Sequence, residues 1–152
     1  MLQPNPLNTL EILIKPWVEG SQEAYLIREK VFIQEQGVPE DMELDGLDPT
    51  ATHVLAYEGP LCVGTARLVH LDHHHAQIGR MAVLSTFRDQ GIGKAMLNHL
   101  IALAQAEGVL NLVLHSQVLA IPFYAKLGFI ADGPIYEEAG IPHRNMMLLL
   151  PT

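Results

Sequence analysis

An α/β (α+β) fold is predicted: one central, mixed but mainly antiparallel sheet of about seven strands flanked by about four helices. Three observations carry this. Short runs rich in Val, Leu and Ile alternate along the chain with stretches of helical periodicity instead of being segregated from them. The runs on either side of Glu58-Gly59-Pro60 lie too close together for anything but a hairpin. The chain has 152 residues, 49% of them apolar and 17% charged, which suits one core and leaves no linker, repeat or second domain. Residues 1–152 therefore read as a single domain.

Taken in order, Leu10 to Lys15 is a strand ended by Pro16. Ser21 is placed to cap a helix from about Gln22 to Gln36, with Gly37 and Pro39 stopping it. The acidic, turn-rich stretch from Gly37 to Thr52 reads as a loop with one short helix. His53–Tyr57 and Leu61–Leu71 form the hairpin, and the turn Asp72-His73-His74-His75 leads to a third strand, Ala76–Val83. Gly91-Ile92-Gly93 opens a long helix to about Glu107, in which Ile92, Met96, Leu100 and Leu103 recur at helical spacing. A strand at Leu110–His115, a short helix at Ala120–Leu127 closed by Gly128, and strands at Phe129–Tyr136 and Arg144–Leu150 complete the layout.

Composition excludes several classes. A formal charge of −8 speaks against general nucleic-acid binding, which needs Lys and Arg to displace counterions from phosphates. No apolar run nears the roughly 20 residues that span a bilayer, and MLQPNPLNTL has neither the basic nor the apolar region of a signal peptide. The single cysteine, Cys62, permits no internal disulfide and fits a reducing cytoplasm. Charge is unevenly spread: no Lys or Arg lies between Lys30 and Arg67, where Glu35, Glu40, Asp41, Glu43, Asp45 and Asp48 crowd together, whereas Arg80, Arg88 and Lys94 face Asp89 alone. The plain explanation is two solvated patches; the functional one is a cation site beside an anion site.

Arg88-Asp89-Gln90-Gly91-Ile92-Gly93-Lys94-Ala95 stands where a strand has ended and a helix begins. The N–H groups of a first helical turn lack intrahelical partners, and the macrodipole adds about half a positive charge, so such a loop can hold an anion. It is no Walker loop, and Met96 stands where the Rossmann fingerprint needs its third glycine. On its own it is also an ordinary helix entry.

Arg88-x-x-Gly91-x-Gly93 after Ile78-Gly79-Arg80-Met81-Ala82-Val83 resembles the acetyl-CoA loop of the GNAT superfamily of N-acetyltransferases. Gln117-x-x-Ala120-x-x-x-Tyr124-x-x-x-Gly128-Phe129 resembles that superfamily's second motif, in which Asn often stands at the place of Gln117. Order and spacing agree, and the match spans about Ala76 to Phe129. Val31-Phe32-Ile33-Gln34-Glu35-Gln36-Gly37-Val38-Pro39, then Glu43-Leu44-Asp45-Gly46-Leu47-Asp48 with His53, and the tail Glu138-Ala139-Gly140-Ile141-Pro142-His143 look like the small bacterial ElaA-like and YjcF-like branch.

The resemblance implies acetyl-CoA as cosubstrate, an amine as acceptor, and a gap between two splayed strands for the pantetheine arm. Met81 and Val83, with Ala82 between them, would offer that arm backbone hydrogen bonds. Arg88, Asp89, Gln90, Gly91, Ile92, Gly93 and Lys94 would hold the pyrophosphate, while Gln117, Phe123 and Tyr124 would add further cofactor contacts. An N–H near Val83 would stabilise the thioester oxyanion. Tyr124 would protonate or hydrogen-bond the leaving sulfur, a phenol near pKa 10 and a thiol near 8.5 being close enough for either to hold the proton. Its plain alternative is a half-buried aromatic packed beside Phe123. The base is left open: Glu35, provided that burial raises its pKa, and His115 come first, then Glu138, His143 or a water chain.

The acidic stretch from Glu35 to Asp48 would line the acceptor side and attract a cationic small molecule carrying a primary amine. His73, His74 and His75 read as a solvated turn and not as a metal site, since neighbours in a strand alternate sides. Cys62 reads as a small buried apolar residue, and Met146–Leu150 as a core strand able to pair between subunits of a homodimer. The reading of another class is a CoA-binding regulatory or sensor module without turnover, and a nucleotide-binding domain is a distant third.

Overall fold

The structure, a computed structural model, describes residues 9–43 and 45–151. Most of the N-terminal segment read for a signal peptide lies outside them. Seven strands form one sheet: β1 (Leu10–Pro16), β2 (Thr52–Glu58), β3 (Leu61–His70), β4 (His75–Val83), β5 (Asn111–Gln117), β6 (Ile130–Glu138) and β7 (Ile141–Leu149). Their spatial order is β1-β2-β3-β4-β5-β7-β6. Every neighbouring pair is antiparallel except β4 and β5. The predicted mixed, mainly antiparallel sheet is the one observed.

Alternation along β2 explains how the sheet comes to lie between two helices. Val54 and Ala56 join the side packed by α3 (Ile92–Ala106), whose Ile92, Met96, Leu97, Leu100 and Ala104 are buried. Leu55 and Tyr57 join the side packed by α1 (Trp17–Arg28), through Ala24 and Ile27. A period-2 strand feeds both faces and each period-3.6 helix covers one. Burying one such Leu or Met side chain is worth about 1.5–3 kcal/mol.

The first helix departs from expectation at its start and in its winding, while its end near Gln36 agrees. It starts at Trp17, directly after β1, with Pro16 as its N-cap residue; Ser21 lies inside it and caps nothing. The Trp17 ring supplies the reason for this early start, since it stacks against His53 (centroids 4.8 Å apart) and under the Arg28 guanidinium. Beyond Arg28 the helix widens into a π-helical stretch, Glu29–Glu35, in which Gln36 N–H reaches back to the Val31 carbonyl at 3.0 Å. Such widenings are frequent at functional sites, and here it places Glu35 and Gln36 opposite β4 and β5.

After a single helical turn, α2 (Glu40–Glu43), and a 3₁₀ turn at Asp48–Thr50, the predicted hairpin follows. The expected short helix near 120–127 is a 3₁₀ turn leading into α4 (Ile121–Ala125). Only part of Met146–Leu150 is core: Met146 and Leu150 are buried, while Met147 and Leu149 face outward as alternation on β7 dictates. Among the described residues no helix is long and apolar enough to cross a membrane.

Candidate functional site

The site begins with a break in the sheet. The parallel ladder joins His75–Ile78 to Asn111–Leu114 and stops, although the strands run on to Val83 and Gln117. On its other edge β4 carries a bulge: Thr65 pairs with Ala82 and Arg67 with Gly79, so Arg80 and Met81 together oppose Ala66. Arg80 takes a φ of +53° there, and bulges of this kind bend a strand and re-aim its side chains. Between the diverging strands lies a cleft of about 500 Å³, lined among others by Gly79, Met81, His115, Gln117, Tyr124 and Glu138. Backbone groups facing such a gap need hydrogen-bond partners, which an extended ligand can supply.

Past the C-terminal end of β4, the glycine loop leads into α3. Gly91 is its N-cap residue at φ +84°, a left-handed conformation that glycine adopts without steric cost. No side chain caps this end, and the first helical bond runs from Ala95 N–H to Gly91 O at 3.0 Å. The N–H groups of Ile92, Gly93 and Lys94 therefore precede the intrahelical ladder. A Cβ on Gly93 would come within 3.4 Å of Phe123 Cζ, so α4 packs close beside this turn. Asp89, Gln90, Gly91 and Lys94 are exposed, whereas Ile92 is buried in the core. The loop adjoins the cleft without lining it.

Arg88 is engaged by protein. Its Nη1 and Nη2 donate to Glu35 Oε2 and Oε1 at 2.6 and 2.7 Å, and its Nε donates to the Val83 carbonyl at 2.9 Å. Two expectations change. The Val83 carbonyl already has a donor, which leaves the Val83 N–H and the backbone of Met81 for an incoming ligand. Glu35 is held below the ordinary carboxylate range, chiefly by its hydrogen bonds to Arg88. That is opposite to the upward shift on which its role as base was conditional.

Tyr124 lies on α4 with its hydroxyl 3.7 Å from Met81 Sδ. Burial pushes its pKa to about 12, so it is a phenol, and a donor, throughout the neutral range. It packs edge-on against both Phe123 (5.0 Å) and Phe129 (5.9 Å). The plain packing explanation thus holds for its ring, while its hydroxyl reaches the cleft. Gln117, one register step from His115 on the same strand face, donates through Nε2 to Gln36 Oε1 at 2.9 Å.

His115 meets Glu138 across the cleft wall: Nδ1 lies 3.2 Å from Oε1. The other oxygen of Glu138 is 3.6 Å from His143 Nε2, and His143 Nδ1 lies 2.7 Å from the Ile141 carbonyl. The β6–β7 turn, with Ala139 at φ +54° and Gly140 at +75°, brings Glu138 over β5.

The acidic stretch differs most from expectation. Three arginines from three elements neutralise its inner half, Glu43, Asp45 and Asp48. Arg28, 1% exposed, donates to Glu43 and, through Nη1 and Nη2, to both oxygens of Asp48 at 2.9 and 3.0 Å. Arg67 bonds Asp45 and Asp48, and Arg80 bonds Asp45 and the Glu43 carbonyl. Glu43, Asp45, Arg67 and Arg80 also line the cleft, so three cations meet three carboxylates and leave no acidic wall. Arg80 accordingly belongs here and not to a basic zone with Arg88. Sequence reasoning missed these arginines, but one signal was available: Arg28 shares its helical face with Ala24, Ile27 and Val31.

His75 Nδ1 bonds Asp72 at 2.8 Å within its turn, and no group of three or more His, Cys, Asp or Glu among the described residues is arranged to hold a metal. Cys62 is buried, and burial pushes its thiol up to about 11.

Comparison with known proteins bears on this geometry. Residues 18–150 match the family described as acetyltransferase (GNAT) domain. The uncharacterized N-acetyltransferase YjcF of Bacillus subtilis (strain 168) is 33% identical over 130 residues, which is 85% of this chain and 92% of that one. The crystal structure of Escherichia coli ElaA superposes with a TM-score of 0.82 at 26% identity, over 91% of this chain and 98% of its own. A GNAT family acetyltransferase from Elizabethkingia anophelis, crystallised with acetyl-CoA bound, shares the fold with a TM-score of 0.67 at 18% identity, over 94% and 99% of the two chains.

Proposed function

The chain belongs to the GNAT acetyltransferase family, and on that premise we propose that it moves the acetyl group of acetyl-CoA directly to a primary amine of a cationic small molecule. The observation that carries this reading is the split between β4 and β5, with the Tyr124 hydroxyl beside Met81 on its wall. The same reading makes residues 1–152 one catalytic domain working in the cytoplasm. Exposed Ile130, Ile135 and Leu149 on the last two strands support a homodimer.

The residues fit the cosubstrate. The uncapped start of α3 and exposed Lys94 suit a pyrophosphate, and the backbone of Met81 and the Val83 N–H suit an amide-bearing arm. The bound thioester supplies an activated carbonyl and a thiolate leaving group. The amine nitrogen forms its bond to the carbonyl carbon, the carbon–sulfur bond breaks, and its electron pair stays on sulfur. A backbone N–H at β4 stabilises the oxyanion in between.

Tyr124 donates a hydrogen bond to the departing sulfur. Its phenol, at about 12, lies more than three units above an ordinary thiol near 8.5. It therefore keeps its proton in the product state, and the thiolate takes its own from the medium. His115 ranks ahead of Glu35 as base, because Glu35 is committed to Arg88. Attraction of a cation rests on the net charge of −8 and on Glu138, and not on the neutralised stretch around Asp45.

Thiol release from acetyl-CoA with spermidine, lysine, glucosamine and phenethylamine is the test, with Tyr124→Phe beside the wild type. Acetylation of spermidine above phenethylamine, greatly reduced in Tyr124→Phe, is expected. Acetyl-CoA binding without turnover on any amine would make the chain a CoA-binding module instead, and absence of binding would overturn the reading altogether.

A further inference from the structure

We propose that Glu138 is a positioning residue for His115, which holds the imidazole with its proton on Nδ1 and its lone pair on Nε2, so that Nε2 takes the proton from the attacking amine. The inference rests on the acetyltransferase reading and adds to it the base and the group that prepares the base.

Three contacts fix the assignment. A carboxylate can only accept, so at 3.2 Å the neutral His115 ring must donate to Glu138 from Nδ1. A neutral imidazole has one N–H, which leaves the lone pair on Nε2 of a side chain that lines the cleft. His143 also lines the cleft, but it is much more buried than His115 and turns its second nitrogen toward Glu138. Its Nδ1 donates to the Ile141 carbonyl at 2.7 Å, and its Nε2 lies 3.6 Å from Glu138 within a ring that is more than nine-tenths buried.

The strand pairing makes the arrangement stiff. His115 pairs with Asn145 on β7, and Glu138 closes the β6–β7 ladder opposite Ile141. Tyr136 meets the His115 ring edge-on at 6.0 Å and lies nearly parallel to the His143 ring at 6.1 Å. It also donates to Asn145 Oδ1 at 2.5 Å, which steadies that aromatic wall. His115 thus meets Glu138 and Tyr136 from β6, with His143 beyond Glu138 on β7.

The proton balance follows. As the carbon–nitrogen bond forms, the amine proton passes to Nε2 and the ring becomes an imidazolium, stabilised by the Glu138 carboxylate through the Nδ1–H it already accepts. Loss of the sulfur returns a thiolate to the medium, and the imidazolium releases its proton there before the next cycle. Glu138 takes part without changing its own protonation state, as an orienting carboxylate does.

The test does not depend on finding the acceptor. Long-range proton–nitrogen NMR of the imidazole rings in the full chain, at a pH where His115 is neutral, reads the tautomer directly. The expected result is Nδ1–H in wild type and in Glu138→Gln, whose amide oxygen still accepts, and a shift toward Nε2–H in Glu138→Ala. Nε2–H in wild type, or an unchanged tautomer in Glu138→Ala, would overturn the proposal. A thermal shift with acetyl-CoA, run on the same samples, reports separately whether the acetyltransferase reading stands. With the amine acetylated fastest, Glu138→Ala should lower kcat at an unchanged KM for acetyl-CoA, and Glu138→Gln should restore most of that loss. At saturating amine Glu138→Ala should cost nothing further in kcat in a His115→Gln background; a full extra loss of kcat there would show that Glu138 acts on the reaction independently of His115.

Discussion

Glu35 and Arg88, 53 positions apart in the chain, form a two-bond ion pair at the entry to α3. The carboxylate at the end of the π-helical stretch thus occupies the guanidinium expected to meet a pyrophosphate, and on the proposed function cofactor and Glu35 would compete for one cation. Glu35→Gln should tighten acetyl-CoA about two- to fivefold, the scale of an exposed ion pair. Affinity for acetyl-pantetheine, which lacks the diphosphate, should not change. Titration calorimetry with both ligands checks this; equal gains for both would remove the competition. Arg88→Glu should abolish the thermal shift that acetyl-CoA produces.

The strands and α3 were legible because their signals are local: alternation, helical spacing, and glycine at the turns. The gap between splayed strands implied by the resemblance has its counterpart in the split of β4 from β5, although the glycine loop does not line the cleft there. What the sequence hid is long-range. Pro16 and Ser21 both suit a helix start, and the choice was made by the packing of Trp17 on His53. The acidic stretch looked like an exposed wall because its counter-ions arrive from residues 28, 67 and 80, on a helix and two strands. Glu138 could be named as a candidate, but its bond to His115 depends on the hairpin register.

The buried arginine cluster should be the point at which the fold is most easily broken. Removing one member of a buried ion pair leaves an uncompensated charge, which costs about 3–5 kcal/mol. Arg28→Leu takes the hydrogen-bonded guanidinium from Glu43, 2% exposed, whose other cation, Arg80, stands at 3.6 Å, and leaves Asp48 with Arg67 on one face. Urea unfolding should show that loss in full, whereas Arg88→Leu, at an exposed pair, should change stability by less than about 1 kcal/mol. Equal effects at the two sites would mean that the cluster is not a structural centre.

The same cluster sets the acid limit of stability. Hydrogen bonds from Arg67 pull the Asp45 carboxyl well below its ordinary value, and Arg28 and Arg67 lower Asp48 against the opposing effect of burial. A depressed folded-state pKa contributes stability above the unfolded value, near 4, that is lost as pH falls through the folded one. The urea midpoint should therefore decline below about pH 4, and Asp45→Asn should flatten that decline while lowering the plateau. A plateau that persists to pH 2 in wild type would contradict the assignment.

Tyr124→Phe should lower kcat about ten- to a hundredfold, toward the low end for a general acid, because a phenol at about 12 assists the sulfur by hydrogen bonding and not by giving up its proton. The ring packs on Phe123 and Phe129, and Phe keeps that packing, so Tm should change little. The rate profile of the wild type should lack a basic limb from Tyr124 below about pH 11. A limb near 9 that vanishes in Tyr124→Phe would instead show a proton in flight between phenol and sulfur.

Cys62 decides whether thiol release can be read at all. A thiol at about 11 is about one part in a thousand thiolate at pH 8, and its side chain is buried between α1 and the sheet with its Sγ 3.6 Å from the Gly64 carbonyl. A disulfide reagent should therefore label the folded chain orders of magnitude more slowly than free coenzyme A, and at a rate that rises with urea in step with unfolding. Rapid labelling of the native chain would mean that the shallow pocket formed by Leu26, Leu61 and Leu84 beside Cys62 opens to solvent. In that case a Cys62→Ala chain is needed before any rate is measured.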